Sequence, residues 1–242
     1  MIKLERTSVF NFENAIRGMR NPMDSWDKSD SKYIVCADKD SCTKCPGSGH
    51  RDICYLMQNG GCLIFGENDL KLAQSLAHNS SDHRKFLRQI MVSVDITAPR
   101  YWWAEFDTYK VGTVANSCST MHTIHKCDLT LDDFSLDHTF ETDNGWIDSE
   151  DGTKYLSPFT FFEGIVFQLN VYRKKYLATN DKKWWYQMIQ LLPSSYNQMR
   201  TVTLNYEVLL NQYHARKQHK LDEWHTYCDW IESLPYFKEI CL

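Results

Sequence analysis

The sequence lacks any hydrophobic run long enough to cross a lipid bilayer. Its longest apolar stretch, from Phe159 to Leu169, is interrupted by three polar residues, whereas a membrane-spanning helix needs about 20 mostly apolar residues. The first ten residues also lack the apolar core and small-residue cleavage site of a secretory signal. We therefore expect a cytoplasmic protein with no membrane span.

An excess of positive charge is missing as well. The chain has 27 Lys and Arg residues against 31 Asp and Glu residues, which gives a net charge of −4. Proteins that bind duplex nucleic acid gain affinity from many Lys and Arg contacts to phosphates. We therefore expect no duplex nucleic acid as a partner. No internal repeat or low-complexity tract is present, which argues against a solenoid or a disordered array.

The composition favours one globular unit. Of the 242 residues, 43% are hydrophobic and 14% are aromatic, which is enough to form a sizeable core. We expect a single domain over residues 1–242. We also expect the paired tryptophans Trp102, Trp103, Trp184 and Trp185 to lie in its core, because aromatic side chains dominate core energetics.

Cysteines are concentrated in one short stretch. Five of the nine lie within 27 residues, in a segment rich in Gly, Ser and Asp that resembles an insert at about 33–66. Without an export signal, we expect reduced thiols or a metal rather than disulfides. Thiolates suit a structural Zn²⁺ or a small iron–sulfur cluster. The candidate ligands are Cys36, Cys42, Cys45 and Cys54, and His50 lies nearby. Unmetallated thiols packing a loop are the alternative.

Residue periodicity predicts both strands and helices. The stretch Gln89 to Thr97 alternates apolar and polar residues, which is typical of a half-buried strand. Ser157-Pro158 is a helix start followed by a long helix to Ala178. Helices are also predicted over Phe12 to Met19, after an Asn68 cap, over Trp184 to Leu191, and over Val202 to Ile231.

The C-terminal part contains a spaced set of polar residues. Asn205 lies twelve residues after the proline of Leu192-Pro193, Asn211 lies six further on, and Arg216 five beyond that. This spacing resembles the flavin-dependent thymidylate synthases, in which the asparagines contact the flavin and the arginine contacts the nucleotide. A side-chain amide can donate and accept along a flavin edge, and a guanidinium is a fixed fork for oxygens. Ordinary exposed polar residues on a helix are the alternative interpretation.

A second match to the same family lies upstream. His83 stands sixteen residues before Pro99, and the predicted strand between them ends in Ala98-Pro99. The resemblance implies that His83 contacts the flavin. It also implies an α+β fold with a central, largely antiparallel sheet and long helices.

The family signature, Arg-His-Arg followed by Ser-x-Asn-x-x-Ser-x-Arg, is altered in this chain. The equivalent residues are 108–110, which read Thr-Tyr-Lys, and 113–122. The resemblance assigns cofactor contacts to Thr108, Tyr109, Lys110 and Asn116. It assigns substrate contacts to Glu105, Ser117, Ser119 and Arg216, with Ser119 and Arg216 as the catalytic residues.

Two arginines of the signature are absent. Thr108 and Met121 stand in their places, and neither side chain can form a bidentate pair with an anion. The small-residue loop 116–120 can still hold a phosphate through hydroxyls and backbone N–H groups. Lys110, His122 and Arg100 are the nearby cations. Glu105 stands where the family has Gln, which favours a base that presents an amino group.

The resemblance implies transfer of a one-carbon unit from methylenetetrahydrofolate to C5 of dUMP or a related pyrimidine deoxynucleotide. FAD supplies the hydride, NADPH reduces the FAD, and each site is shared within a homotetramer. No cysteine nucleophile is needed, so Cys118 in the substrate loop has no obligatory role, although a covalent role stays open. The alternatives are a non-catalytic flavin or nucleotide sensor on the same scaffold, and a metal-stabilised interaction protein that uses the insert.

Overall fold

A computed structural model of the chain describes residues 2–34 and 62–242. The strands are β1 (Lys3–Phe10), β2 (Lys32–Ile34), β3 (Cys62–Ile64), β4 (Met91–Pro99), β5 (Val114–Ser117), β6 (Trp146–Asp148), β7 (Lys154–Leu156) and β8 (Asn197–Asn205). The helices are α1 (Phe12–Arg20), α2 (Glu67–Ala77), α3 (Arg100–Phe106), α4 (Thr120–Thr123), α5 (Pro158–Thr179), α6 (Lys182–Leu191), α7 (Tyr206–Arg216), α8 (Asp222–Glu232) and α9 (Phe237–Cys241).

The predicted metal ligands lie outside the described residues. They are Cys36, Cys42, Cys45 and Cys54, together with His50. The metal site in the insert therefore stays a prediction.

A four-stranded antiparallel sheet has the order β1-β4-β8-β5. Strands β2 and β3 form a separate antiparallel pair in which Tyr33 lies opposite Leu63. Strands β6 and β7 form another, with Ile147 opposite Tyr155. Together with the long helices, this arrangement confirms the predicted α+β fold.

The alternating pattern of β4 confirms the strand predicted from sequence. Val92, Val94 and Ile96 are buried, and the residues between them are partly exposed. A strand sends successive side chains to opposite faces, so a period of two separates core from surface. The strand begins two residues later than predicted, at Met91.

Strand β8 corrects the prediction of one helical segment from Val202 to Ile231. Val202 and Leu204 are buried, and the β-branched run Thr201 to Thr203 fits a pleated strand. The Thr201 hydroxyl donates to Asp95 Oδ1 at 2.6 Å, and this carboxylate lies on β4. Such cross-strand pairs stabilise a sheet but involve residues about 100 positions apart, so the local pattern does not reveal them.

Residue contacts divide the described chain into two compact units. Unit 1 comprises the described residues of 1–2, 97–106 and 117–200, and unit 2 those of 3–96, 107–116 and 201–242. The prediction of a single domain over residues 1–242 stays a prediction.

Unit 1 is built on the long helix α5. Ser157 caps this helix by accepting a hydrogen bond from Thr160 N at 3.2 Å, and Pro158 is its first residue, as predicted. Its core contains seven buried apolar residues, Ile124, Leu129, Phe134, Val166, Leu169, Met188 and Leu192. Trp102 and Trp103 are fully buried in this unit, as expected, whereas Trp184 and Trp185 are partly exposed.

In unit 2, the N-cap of helix α2 lies two residues before the predicted cap. Gly66 occupies the N-cap position, and Asn68 lies inside the helix. The capping carboxylate comes from Asp30, which accepts hydrogen bonds from Asn68 N at 3.0 Å and Asp69 N at 3.1 Å. Because Asp30 is distant in sequence, the pattern around Asn68 could not identify it.

A buried ion pair joins α1 to α2 in unit 2. Arg20 Nε donates to Asp69 Oδ1 at 2.6 Å, with Asp69 fully buried and Arg20 4% exposed. Asp69 Oδ2 also accepts from the hydroxyls of Ser29 at 2.8 Å and Ser31 at 2.6 Å. Burial by itself would raise the pKa of Asp69, but the hydrogen bonds from Ser31, Ser29 and Arg20 outweigh it and leave that pKa below its ordinary value.

Replacing Asp69 by asparagine should destabilise the protein strongly. The substitution leaves the buried Arg20 charge unpaired, for which we expect a loss of about 3 kcal/mol in the free energy of unfolding. Urea denaturation measures this loss, and Asp27→Asn, at an exposed position, is the matched control. Because the folded-state pKa of Asp69 is lowered, its contribution is present above the unfolded-state pKa and disappears as the pH falls through the folded-state pKa. If the difference in unfolding free energy between the wild type and Asp69→Asn were undiminished at the most acidic pH, this assignment would be wrong.

Candidate functional site

Asn205 has two roles that lie on different atoms of its side chain. It ends β8 and caps α7, where its Oδ1 accepts a hydrogen bond from Val208 N at 3.1 Å. The residue is only 8% exposed, and its Nδ2 makes no hydrogen bond with any residue that the structure describes. A mostly buried amide donor is therefore available to a ligand.

The segment before β5 passes close to this amide. Gly112 has φ of +75°, and a Cβ atom there would lie 3.1 Å from Asn205 Nδ2 and 3.0 Å from Val208 Cγ2. Only glycine adopts this conformation without strain. The next residue, Thr113, has a buried hydroxyl with no hydrogen-bond partner within the described ranges. Since buried polar groups are normally satisfied, this hydroxyl is a second group that a ligand can engage.

Arg216, the last residue of α7, is held by two aromatic residues. Its Nε donates to the Tyr109 hydroxyl at 2.8 Å. The guanidinium carbon lies 4.6 Å from the ring centre of Trp224, which is fully buried, and 5.4 Å from that of Tyr109. These cation–π contacts fix the plane of the guanidinium before any ligand binds. Tyr109, predicted as a cofactor contact, is therefore also a support for Arg216.

The segment after His83 reaches α7 through two arginines. Arg84 Nη2 donates to Asn211 Oδ1 at 3.4 Å, and Arg84 Nε lies 3.5 Å from Glu207 Oε1. Arg88 also forms an ion pair with Glu207, a buried carboxylate one turn before Asn211. Sequence reasoning missed all three charged residues. The only local signal was the placement of Glu207 four residues before Asn211, on the same helix face.

All seven predicted cofactor residues belong to unit 2. Five of them, His83, Thr108, Lys110, Asn116 and Asn211, are exposed. The same unit contains the hydrogen bonds of Tyr109, Asn205 and Asn211 described above. The cofactor-binding roles of these seven residues stay predictions.

The remaining predicted substrate residues lie in unit 1. Glu105 is partly buried on α3, Ser117 ends β5, and Ser119 is the residue before α4. Between the two serines, Cys118 N donates to Met199 O at 3.0 Å and Cys118 O accepts from Gln198 Nε2 at 2.8 Å. The backbone of this loop is therefore fixed to β8, while the side chains of Ser117 and Cys118 are exposed.

Arg200 is a cation of unit 1 that sequence reasoning missed. It lies on β8, where its Nε donates to Gln198 Oε1 at 3.1 Å and its guanidinium carbon lies 4.1 Å from the ring centre of Trp103. Gln198 in turn donates to Cys118 O. Because β8 was not predicted as a strand, sequence reasoning could not connect Arg200 with the loop that carries Ser117 and Ser119.

Residues 2–34 and 62–242 contain neither a candidate metal cluster nor a candidate membrane-spanning helix. No cluster of three or more His, Cys, Asp or Glu side chains is arranged to hold a metal there. None of the helices in these ranges combines the length and the apolar character needed to cross a membrane.

Solved structures with a similar fold include thymidylate synthase X (ThyX) from Helicobacter pylori with FAD and dUMP. It has a TM-score of 0.62 and 15% sequence identity, and the match covers 100% of this chain and 97% of that chain. The chain has the ThyX fold. A second H. pylori ThyX complex with FAD and dUMP gives a TM-score of 0.59 at 16% identity, covering 98% of this chain and 97% of that one.

A nucleotide methylase is another solved structure with a similar fold. The UMP/dUMP methylase PolB from Streptomyces cacaoi, bound with 5-Br UMP, has a TM-score of 0.55 and 10% identity, with coverage of 99% of this chain and 92% of that chain. No family model matches the sequence, and no curated protein matches it. At these identities the comparisons establish the ThyX fold, which the sequence motifs predicted.

The cap of α7 can be tested separately from any ligand. Asn205→Ala removes the side-chain acceptor and should lower the free energy of unfolding by about 1 kcal/mol, whereas Asn205→Ser retains a capping oxygen and should cost only a few tenths. Urea denaturation of both variants measures the difference. Equal stability of the alanine and serine variants would show that Asn205 does not cap the helix.

Proposed function

We propose that the chain is a flavin-dependent methyltransferase that converts dUMP, or a related pyrimidine deoxynucleotide, to its 5-methyl product. The observation that carries this proposal is the placement of Asn205, Asn211 and Arg216 along α7, in a chain with the ThyX fold. Their spacing matches the family motif, and their side chains are already oriented by neighbouring residues. The solved ThyX structures contain FAD and dUMP, which supports the choice of ligands.

The residues near the start of α7 fit a flavin. Asn205 Nδ2 and the Thr113 hydroxyl have unused hydrogen-bonding capacity, and a flavin ring presents carbonyl oxygens and ring nitrogens along its edge. Asn211, whose Oδ1 accepts from Arg84, keeps its amide N–H groups for a ligand. Bound FAD would supply the hydride for the reaction, with NADPH as the reductant. The work of these residues is to bind and orient.

Arg216 is the proposed contact to the nucleotide. A guanidinium offers a planar fork that matches pyrimidine or phosphate oxygens, and a fork held in place by Tyr109 and Trp224 loses little freedom on binding. Fixing the uracil ring in this way would polarise it for attack at C5, which is the catalytic role proposed for Arg216.

The serine loop of unit 1 supplies the remaining substrate residues of the proposal. Ser117 and Ser119 offer hydroxyls for a phosphate, and Ser119 keeps its proposed catalytic role. Glu105, an acceptor where the family has Gln, would suit a base with an amino group. Met121 leaves no arginine in this loop, and Arg200 on β8 is a guanidinium in the same unit.

The one-carbon donor of the proposal is methylenetetrahydrofolate. Its methylene carbon would form a bond to C5 of the pyrimidine as the C5 proton leaves. The bonds from that carbon to the folate nitrogens would break, which releases tetrahydrofolate, and the hydride would complete the methyl group. We further propose a cytoplasmic homotetramer. Exposed Phe161, Phe167 and Leu177 on α5 support association between subunits, because exposed apolar residues on one helix favour burial. A particle of four times the 28.5 kDa chain mass is expected in sedimentation.

A non-catalytic flavin- or nucleotide-binding protein is the second candidate. It is favoured by Thr108 and Met121, which replace two arginines of the signature. Loss of both bidentate cations weakens the electrostatic stabilisation that a transition state requires, while the contacts of α7 can still support binding.

FAD binding provides the first test. Purified protein should be yellow or should take up added FAD, and Asn205→Ser should weaken FAD binding about fivefold, because one hydrogen bond contributes about 1 kcal/mol. Spectroscopic titration measures the affinity, and exposed Asn68→Ser on α2 is the control. A colourless protein that fails to bind added FAD would contradict both candidate functions.

Catalysis is tested by tritium release from 5-labelled dUMP. We expect release that depends on both methylenetetrahydrofolate and NADPH and is lost in Arg216→Gln, with the affinity for dUMP reduced about tenfold or more since a charged hydrogen-bond pair is removed. Lys220→Gln, an exposed residue beyond α7, is the matched control. Binding of FAD and dUMP without tritium release would instead establish the non-catalytic candidate.

A further inference from the structure

A cavity of about 420 Å³ lies against α1 in unit 2. Cavities that bind small molecules have volumes of roughly 300 to 1,000 Å³. Among the described residues, its lining includes Glu13, Arg17, Arg20 and Trp26. None of these residues belongs to the flavin or nucleotide site proposed above.

The deepest cation of the cavity has an unused donor. Arg20 is 4% exposed, and its Nε and Nη1 donate to Asp69 Oδ1 at 2.6 Å and to Ser25 O at 3.2 Å. Its Nη2 has no hydrogen-bond partner within residues 2–34 and 62–242. A guanidinium carries five N–H donors, so this buried side chain retains donors for a ligand in the cavity.

Arg17 adds a second cation at the mouth of the same cavity. It lies three residues before Arg20, on the same face of α1. Arg17 makes no hydrogen bond or ion pair with the described part of the chain. Two guanidinium groups on one wall are suited to an anion with several oxygens, of which a phosphate monoester is the best match.

Trp26 gives the cavity a flat apolar wall. The residue is 48% exposed, and its Nε1 donates to Asn21 Oδ1 at 2.8 Å, which restrains the indole plane. Exposed aromatic rings stack on planar ligand groups. Glu13, one turn before Arg17, is the acidic member of the lining; it repels a simple anion and can accept a hydrogen bond from an amino group.

We propose that this cavity binds a small phosphate monoester attached to a flat ring. Arg17 and Arg20 bind the phosphate oxygens, Trp26 stacks on the ring, and Glu13 selects ring systems that carry an amino group. The cavity is a second ligand site of unit 2, and its existence does not depend on the proposed methyltransferase activity.

Titration calorimetry with phenyl phosphate tests the proposal on the full chain. We expect saturable binding that is weakened about tenfold in Arg17→Gln, since one charged hydrogen bond contributes roughly 1.5 kcal/mol. Trp26→Leu should also weaken it, and inorganic phosphate should bind less tightly than phenyl phosphate. Glu13→Gln should strengthen binding about twofold, because a nearby like charge is removed. Lys28→Gln, which removes a charge from an exposed residue outside the lining, is the control.

A parallel titration separates the cavity from the nucleotide site. Arg216→Gln should leave phenyl phosphate binding unchanged, because Arg216 does not line the cavity. Loss of probe binding in Arg216→Gln, unchanged binding in Arg17→Gln, or no binding of phenyl phosphate at millimolar concentration would each overturn the proposal. Arg17 and Trp26 are exposed and lie outside the buried ion pair, so their variants are expected to fold.

Discussion

The capping hydrogen bond from Val208 N to Asn205 Oδ1 fixes where α7 begins, and the candidate site depends on that start. An α-helix rises about 1.5 Å and turns about 100° per residue. Arg216 is eleven residues after Asn205, so it lies about 16 Å along the axis on nearly the same face. Once β8 ends at Asn205, helical geometry alone aligns the amide and the guanidinium. A shift of the cap by one residue would rotate Arg216 away from Tyr109 and Trp224.

Three guanidinium groups of unit 2 are held by partners of different kinds, and the partner determines what each can do. Arg20 is paired with the buried carboxylate of Asp69, which stabilises the fold, and it keeps unused N–H donors beside the cavity at α1. Arg84 shares Glu207 with Arg88 and extends a donor to Asn211. Arg216 lies against the rings of Tyr109 and Trp224, which orient its guanidinium. The same type of side chain therefore supports the core in one place and forms part of the candidate site in another.

Features set by local sequence could be predicted, and features set by distant contacts could not. The alternation of β4, the Ser157-Pro158 start of α5 and the spacing from Asn205 to Arg216 are local, and the first two agree with the structure. The end of strand β8, from Val202 to Asn205, was predicted as helix because its pairing with β4 is not visible locally. The Asp30 cap of α2 and the Arg84 contact to Asn211 join residues far apart in sequence. The sequence motifs were therefore enough to predict the fold and to nominate site residues, but not to identify the side chains that contact them.

The divided use of the Asn205 side chain has a consequence for how this protein can diverge. Aspartate caps a helix as well as asparagine does, so Asn205→Asp would leave the fold intact while replacing the amide donor with a negatively charged acceptor. Selection for a stable protein alone would accept that change. If the proposed ligand contact exists, selection for binding would reject it, so asparagine at this position separates the requirement for binding from the requirement for folding.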